Sequence, residues 1–166
     1  MENLEVRAQK CAEKLVGLLK KNKMHIAFAE SCTGGLLAKL ITDVAGSSDV
    51  FECGVVTYSN RIKTEVLKIP ASLIEKHGVV SAPVAMNMAK SVRKLASADI
   101  GIGITGVAGP GPDGDIPEGT VHIGIAAESK AKTAVISTRT SNQRNYNRYY
   151  AAITAFSMAI DYIESL

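Results

Sequence analysis

The spacing of hydrophobic residues alternates between helix-type and strand-type along the first two thirds of the chain. Residues 4–19 carry apolar side chains at steps of three, four and one, which is typical of an amphipathic helix. The next apolar run, MHIAFA, predicts a short buried strand, and LLAKLITDV after it predicts a second helix. This alternation favours an α/β fold in which helices cover both faces of a mixed sheet.

The middle of the chain supplies further elements of the same kind. The segment 51–58 is rich in aromatic and β-branched residues and predicts a strand. Asn60 is expected to cap a helix that ends at Pro70, and Ser81 with Pro83 predicts the beginning of another helix.

The last third of the chain reads as strands followed by a helix. Strands are predicted at 100–106, 120–127 and 132–138, the last two as an antiparallel pair. The final helix has a stripe that predicts core packing, formed by Tyr146, Tyr149, Tyr150, Ile153, Phe156, Ile160 and Ile163.

Length and composition limit the classes of protein to which the chain can belong. Its 166 residues predict one domain over 1–166. Nineteen Lys and Arg against sixteen Asp and Glu give a net charge of +3 without a basic stripe suited to nucleic acid. Cys11, Cys32 and Cys53 match neither a zinc pattern nor a disulfide framework. No apolar run reaches the roughly 18 residues of a membrane span, so we expect a soluble cytoplasmic protein that binds neither nucleic acid nor membranes.

The strand-to-helix junction at 30–35 places Ser31 where a nucleophile could act. The beginning of a helix offers unpaired backbone N–H groups that can hold an oxyanion or a phosphate. Position alone favours the alternative, in which Ser31 or Thr33 acts only as a helix cap. Cys32 is a rival nucleophile if its pKa is depressed there, although a buried, inert thiol is the expected state.

A serine nucleophile needs a base, and the sequence offers two kinds. His25, His77 and His122 have no evident carboxylate partner, although a triad assembled in space stays open. A lysine can serve if burial lowers its pKa from about 10.4 toward roughly 7 to 8. Lys63 lies in the first turn after Asn60, where the helix dipole disfavours a positive charge. The alternative is an ordinary solvated lysine.

The glycine-rich segment 101–111 is a candidate ligand-binding loop. It lacks the ending of a Walker loop and the following helix of a dinucleotide fingerprint. Gly106 could let the backbone approach a ligand closely, and Thr105 offers a hydroxyl. A bent surface loop is the alternative.

Two arginines and a group of acids complete the candidates. Arg144 and Arg148 are four residues apart and could bind a phosphate or carboxylate from one helix face, or could be solvated. Asp113, Asp115 and Glu118 have no spacing typical of metal ligands. We therefore predict no metal and no other cofactor.

Several short motifs occur in the order seen in one known family. They are AESCTGG at 29–35, AGSS at 45–48, GVVTYSNRIK at 54–63, GVVS at 78–81, TGVAGP at 105–110 and GTV at 119–121. Together they cover nearly the whole chain. They resemble the nicotinamide-nucleotide amidohydrolase family, which is also known as the C-terminal domain of the competence/damage-inducible protein CinA.

The resemblance implies a fold, a reaction and its residues. It implies a three-layer α/β/α sandwich that self-associates as a homo-oligomer. The implied reaction is hydrolysis of the carboxamide of nicotinamide mononucleotide to nicotinate mononucleotide and ammonia. The family's serine, tyrosine and lysine fall on Ser31, Tyr58 and Lys63. As a hypothesis, neutral Lys63, directly or through Tyr58, removes the Ser31 proton during attack on the amide carbon.

The same resemblance suggests substrate-binding residues. Backbone N–H groups at 31–35 would stabilise the oxyanion, and the substrate-binding residues beside the nucleophile are Glu30, Thr33 and Gly34. The phosphate is assigned to Thr105, Gly106, Arg144 and Arg148.

Two residues depart from the family pattern, and two other functions stay open. Cys53 stands where the family usually has glycine, and Glu118 stands where valine is common. Extra acids near a phosphate are expected to weaken its binding. The other functions are an amidase for a different nucleotide-like amide and a non-catalytic ligand-sensing or scaffolding module.

Overall fold

A computed structural model describes residues 3–138 and 141–166 and shows a mixed five-stranded sheet. The strands are β1 (Ile26–Glu30), β2 (Phe51–Val56), β3 (Ile100–Gly106), β4 (Thr120–Ala126) and β5 (Ala131–Ser137), in the order β2-β1-β3-β4-β5. β1 pairs in parallel with both β2 and β3, whereas β4 is antiparallel to β3 and to β5. The predicted mixed sheet and its antiparallel final pair are confirmed.

The α-helices of the described residues cover both faces of this sheet, as predicted. One face carries α1 (Leu4–Asn22), α2 (Leu36–Thr42) and α6 (Arg144–Glu164). The other carries α3 (Asn60–Leu67), α4 (Ala71–His77) and α5 (Ala82–Ala96). The result is a three-layer α/β/α sandwich. None of the helices described in 3–138 and 141–166 has the length and apolar character needed to cross a membrane.

The two cores differ in the size of their side chains. Under α1 and α6, Phe28 of β1 packs against Phe51 at 5.2 Å and against Phe156 at 6.1 Å between ring centroids. On the opposite face, α5 lies directly on β3, because a Cβ at Gly103 would be only 2.5 Å from the backbone nitrogen of Ala89. The alternating glycines of β3 therefore allow a helix to approach the sheet at backbone distance.

Two expectations from the sequence are wrong for the region after β2. Ser59, and not Asn60, caps α3, because the Ser59 hydroxyl accepts a hydrogen bond from the Ile62 amide at 3.2 Å. The helix ends at Leu67, since Lys68 adopts the left-handed conformation. A separate helix, α4, follows Pro70, and the sequence analysis missed it.

The apolar stripe of α6 is buried only in its later turns. Ile153, Phe156 and Ile160 are core residues, as predicted. Tyr146 and Tyr150 are instead 42% and 36% exposed and stack on each other with 6.1 Å between ring centroids. The core prediction is wrong for these tyrosines, because they lie on the exposed side of α6, whereas Asn147 and Ala151 of the same turns are buried.

The parallel strands bring the candidate segments together. β1, β2 and β3 run in the same direction, so their carboxyl ends lie at the same edge of the sheet. The segments that leave this edge are 31–35, 57–63 and 107–113. In open α/β sheets this edge is where ligands bind.

Candidate active site

A cavity of about 410 Å³ opens at the carboxyl edge of β1, β2 and β3. It is lined by Ser31, Cys32, Tyr58, Asn60, Lys63, Val79, Val80, Thr105, Arg144 and the segment 106–113. Its volume lies within the range of small-molecule sites. Four residues predicted to bind substrate are absent from this lining: Glu30, Thr33, Gly34 and Arg148.

Ser31 and Lys63 are in direct contact at the base of this cavity. Lys63 Nζ lies 3.0 Å from Ser31 Oγ, and Lys63 and Ser31 are 1% and 8% exposed. Ser31 comes directly after β1, and the Ser59 cap begins α3 directly after β2. Because β1 and β2 are parallel neighbours, the side chain of Lys63 can reach across to Ser31.

The surroundings of Lys63 bring the pKa of its amine close to the neutral pH range. Burial lowers the pKa of Lys63 from 10.5 to about 8. Besides Ser31, its Nζ contacts the carbonyl oxygens of Thr57 at 2.7 Å and Tyr58 at 3.4 Å. A neutral amine has two N–H groups and one lone pair. The two carbonyls can accept only the N–H groups, so the lone pair is left for the Ser31 hydroxyl.

Cys32 is next to Ser31 but lacks the properties of a nucleophile. Its side chain is buried, and burial raises the pKa of the thiol to about 12. The thiolate is the reactive form of cysteine. Cys32 therefore stays a protonated, inert thiol near neutral pH.

The phenol of Tyr58 is hydrogen-bonded to Arg144 and not to Ser31 or Lys63. The side chain is 61% exposed, and its hydroxyl accepts a hydrogen bond from Arg144 Nη2 at 3.1 Å. Only the backbone carbonyl of Tyr58 contacts Lys63. Since Lys63 contacts Ser31 directly, a proton relay through Tyr58 has no support in this geometry.

Glu30 occupies a structural position, which corrects its assignment to substrate binding. Its carboxylate is 1% exposed and accepts hydrogen bonds from the amides of Gly35 at 3.0 Å, Leu37 at 3.2 Å and Ala38 at 3.0 Å. It therefore caps the beginning of α2. These amides cannot also hold an oxyanion.

The oxyanion donors must accordingly come from the turn itself. The Gly34 amide donates to the Ser31 carbonyl at 3.0 Å and is also occupied. The amides of Cys32 and Thr33, which directly follow Ser31, donate to no oxygen atom of the described residues. They are the candidates for an oxyanion hole in this turn.

Arg148 holds this turn in place instead of binding in the cavity. Its Nε and Nη2 donate to the Thr33 carbonyl at 3.1 and 2.6 Å. Gly34 lies against the same guanidinium, since a Cβ there would be 3.5 Å from Arg148 Nη2. The expected pairing of Arg144 and Arg148 on one phosphate is thereby corrected, because Arg148 does not line the cavity and binds the Thr33 carbonyl instead.

Arg144 and Thr105 line the cavity with different capacities for an anion. The Thr105 hydroxyl donates to the Val79 carbonyl at 2.9 Å, so its hydrogen is not free for a phosphate. Arg144 donates through Nη1 to the Gly109 carbonyl and through Nη2 to the Tyr58 hydroxyl. A guanidinium has five N–H groups, so three remain. Gly106 contributes backbone to the wall.

Among the described residues, the histidines and acids do not form a second catalytic or metal-binding site. His25 lies 3.7 Å from Glu52 and 3.6 Å from Asp99, and none of His25, His77 or His122 lines the cavity. Burial lowers the pKa of His122. Within 3–138 and 141–166, no group of three or more His, Cys, Asp or Glu could hold a metal ion.

Several residues contribute to this site that the sequence did not assign to it. The carbonyl of Thr57 orients Lys63, and Asn60 and Asp113 line the cavity. Asn147 is fully buried behind the cavity wall and donates to the Ala108 carbonyl at 3.0 Å. A polar residue inside the apolar stripe of α6 was a signal for Asn147, whereas no sequence signal identifies a backbone carbonyl.

Comparison with known proteins gives one consistent family. The model of the CinA C-terminal domain matches residues 8–163. A CinA-like protein from Geobacter sulfurreducens is 45% identical over 139 residues, which cover 83% of this chain and 33% of the relative. One from Anaeromyxobacter dehalogenans is 42% identical over 145 residues, covering 87% and 35%. The chain thus spans about a third of the length of these curated relatives.

Solved structures agree with this family. A competence-damaged protein (CinA) superfamily protein from Klebsiella pneumoniae superposes with a TM-score of 0.90 at 27% identity, covering 96% of this chain and 99% of the other. A competence/damage inducible protein from Agrobacterium tumefaciens gives 0.89 at 30% identity, covering 93% and 94%.

Proposed function

Because the chain belongs to the CinA C-terminal domain family, we propose that it is an amidohydrolase that converts nicotinamide mononucleotide to nicotinate mononucleotide and ammonia. The observation that carries this proposal is the 3.0 Å contact between Lys63 Nζ and Ser31 Oγ in a cavity open to a small molecule. A buried amine beside a hydroxyl is an arrangement that activates a serine nucleophile.

The first step forms an acyl-enzyme. Neutral Lys63 takes the hydroxyl proton of Ser31 as Oγ bonds to the carboxamide carbon and the carbonyl oxygen becomes an oxyanion. The carbonyls of Thr57 and Tyr58 hold Nζ in place and stabilise the ammonium that forms. The amides of Cys32 and Thr33 donate to the oxyanion, and each such donor is worth roughly 3 to 4 kcal/mol in favourable cases.

The second step releases ammonia and the third restores the enzyme. The Lys63 ammonium gives its proton to the amide nitrogen, the C–N bond breaks, and an ester on Ser31 remains. Lys63, neutral again, takes a proton from a water molecule that attacks the ester. The C–O bond to Ser31 then breaks, and the proton on Lys63 passes back to Ser31 Oγ. The same amine therefore acts as base and acid in turn.

Arg144 is the side chain best placed to bind the substrate phosphate. Arg144 lines the cavity with three N–H groups left for a ligand, and Lys63 is the only other basic residue in the lining of the described chain. Guanidinium groups suit phosphate oxygens because they donate in a fixed, planar geometry. Homo-oligomer formation and a cytoplasmic location stay predictions from the sequence.

The experiment is ammonia release from nicotinamide mononucleotide by the purified chain and by two neighbouring variants. Ser31→Ala should lower kcat by about 10³-fold or more. Cys32→Ala should keep most of the turnover, because its thiol is protonated. Circular dichroism of both variants checks that they are folded.

Other outcomes identify the alternatives. If Cys32→Ala abolishes turnover while Ser31→Ala keeps it, the nucleophile is misassigned. If the wild-type chain binds the nucleotide in calorimetry without releasing ammonia, it is a ligand-sensing module. If it releases ammonia only from other nucleotide-like amides, the substrate is misassigned.

A further inference from the structure

The wall of the cavity at 108–111 is held from outside the cavity by a buried carboxylate. Glu118 is 7% exposed and does not line the cavity. Its Oε2 accepts hydrogen bonds from the Gly111 amide at 2.8 Å and the Asn142 amide at 3.2 Å. Its Oε1 accepts from the Gln143 amide at 2.9 Å and from Asn147 Nδ2 at 3.3 Å.

These contacts join the wall to the beginning of α6. Gln143 is the N-cap of α6, and Asn142 precedes it. Asn147, in the second turn of the helix, also donates to the Ala108 carbonyl at 3.0 Å. Glu118 and Asn147 thus connect both ends of the 108–111 wall to one helix end.

The same connection determines the position of Arg144. Arg144 directly follows the residue whose amide Glu118 binds, and it donates to the Gly109 carbonyl in the middle of the wall. Glu118 also packs directly on Gly109, where a Cβ would overlap its side chain. A shift of the Glu118 carboxylate would therefore move both the wall and the guanidinium that faces the cavity.

We propose that Glu118 is a positioning residue that fixes the 108–111 wall and Arg144, and thereby sets the affinity for the anionic group of the substrate. This proposal rests on the function proposed above. The expected effect of an acid at position 118 on phosphate binding also changes. The negative charge is stabilised by N–H donors of the backbone and of Asn147, and it lies outside the cavity lining, so it weakens phosphate binding less than the sequence alone suggests.

Only an ionised carboxylate suits this position. A carboxylate has about four acceptor sites and no donor, and each of its oxygens accepts two hydrogen bonds here. The backbone amides, first of all that of Gln143, lower the pKa of Glu118, so it is ionised at neutral pH. In Glu118→Gln, the amide group must direct its N–H bonds at two of these donors.

The experiment compares Glu118→Gln with a matched control, Asp115→Asn. Asp115 is an exposed acid of the same loop, so its variant loses the same charge without touching the network. For nicotinamide mononucleotide, we expect Glu118→Gln to raise KM by about tenfold or more while kcat stays within about twofold, because Ser31 and Lys63 lie on other elements. Asp115→Asn should leave both constants within about twofold of wild type.

A second readout does not depend on turnover. Amide hydrogen exchange should accelerate in peptides covering 107–112 and 143–148 of Glu118→Gln and stay at the wild-type rate in Asp115→Asn. An unchanged KM, or a fall in kcat with KM unchanged, would overturn the proposal, and so would unchanged exchange in both segments. If the wild-type chain has no turnover, the proposed function fails, while the exchange rates still decide whether Glu118 fixes the wall.

Discussion

The pKa of Lys63 determines the pH range in which the proposed reaction can run. Its ammonium form has no lone pair for the Ser31 proton. With a pKa of about 8, about a tenth of Lys63 is neutral at pH 7 and nearly all of it above pH 9. The rate should therefore rise with pH through the pKa of Lys63.

The rise of the rate with pH predicts the shape of the pH profile of kcat. We expect kcat to increase about tenfold per pH unit below about pH 7, more slowly through pH 8, and to level off above about pH 9, because only the neutral amine is a base. Measuring kcat at saturating substrate separates this limb from titration of the substrate phosphate, whose pKa is about 6. The assay is ammonia release from pH 6 to 10.

The control for this profile is Lys63→Arg, which keeps a positive charge at every pH of the assay. It should lose turnover across the whole range. A wild-type limb near pH 6.5, typical of histidine, would contradict the assignment of Lys63 as base.

At the level of single residues, sequence reasoning brought Ser31 and Lys63 together correctly and misplaced their neighbours. Ser31 and Lys63 belong to motifs with a recognisable family resemblance, and their contact agrees with it. Glu30 belongs to the same motif as Ser31, and Arg148 lies on α6, but backbone groups bind both side chains. Residue spacing contains no information about which backbone groups lack a partner.

At the level of elements, the close packing of α5 on β3 explains the alternating glycines that the sequence displays. A side chain at Gly103 would meet the Ala85 carbonyl and the Ala89 amide, which are backbone atoms of α5 and cannot rotate away. In contrast, Gly17 lies on the exposed side of α1, and a Cβ there would meet no atom within 4 Å. A methyl group would therefore clash with α5 at Gly103 and would fit without a clash at Gly17.

We predict that Gly→Ala changes the free energy of unfolding in opposite directions at these two positions. Gly103→Ala should lower the free energy of unfolding by about 3 kcal/mol, because α5 must shift away from the sheet. Gly17→Ala should raise it by about 0.5 to 1 kcal/mol, because alanine favours the helix and restricts the unfolded chain. Urea unfolding followed by circular dichroism measures both. Equal effects of the two variants would contradict the packing described for α5.

Helix ends were the elements least accessible to sequence reasoning. Ser59 and Asn60 are both good capping residues, so the sequence alone does not distinguish them. The break between α3 and α4 depends on the left-handed Lys68, a conformation that the residue type does not indicate. The first turns of α6 carry the same apolar spacing as its core turns, but Tyr146 and Tyr150 lie on the exposed side of the helix.

At the level of the whole molecule, the order of strands and helices was predictable and determined the location of the site. Apolar spacing indicated a mixed sheet with covered faces, and the parallel order of β2, β1 and β3 brings their carboxyl ends together. The burial of Lys63 was not predictable from spacing, because it depends on the side chain reaching from α3 to Ser31 after β1 and to the Thr57 carbonyl after β2. The fold as a whole thus lowers the pKa of Lys63.

The most direct test of this account is the titration of Lys63 itself. In protein labelled with ¹³C at the lysine ε-carbon, the Lys63 signal is the one missing from the spectrum of Lys63→Arg. We predict a midpoint of about 8 in the folded chain and a return toward 10.5 when urea unfolds it. A Lys63 signal that stays in its charged form up to pH 10 in the folded chain would contradict the central claim that this amine is the base for Ser31.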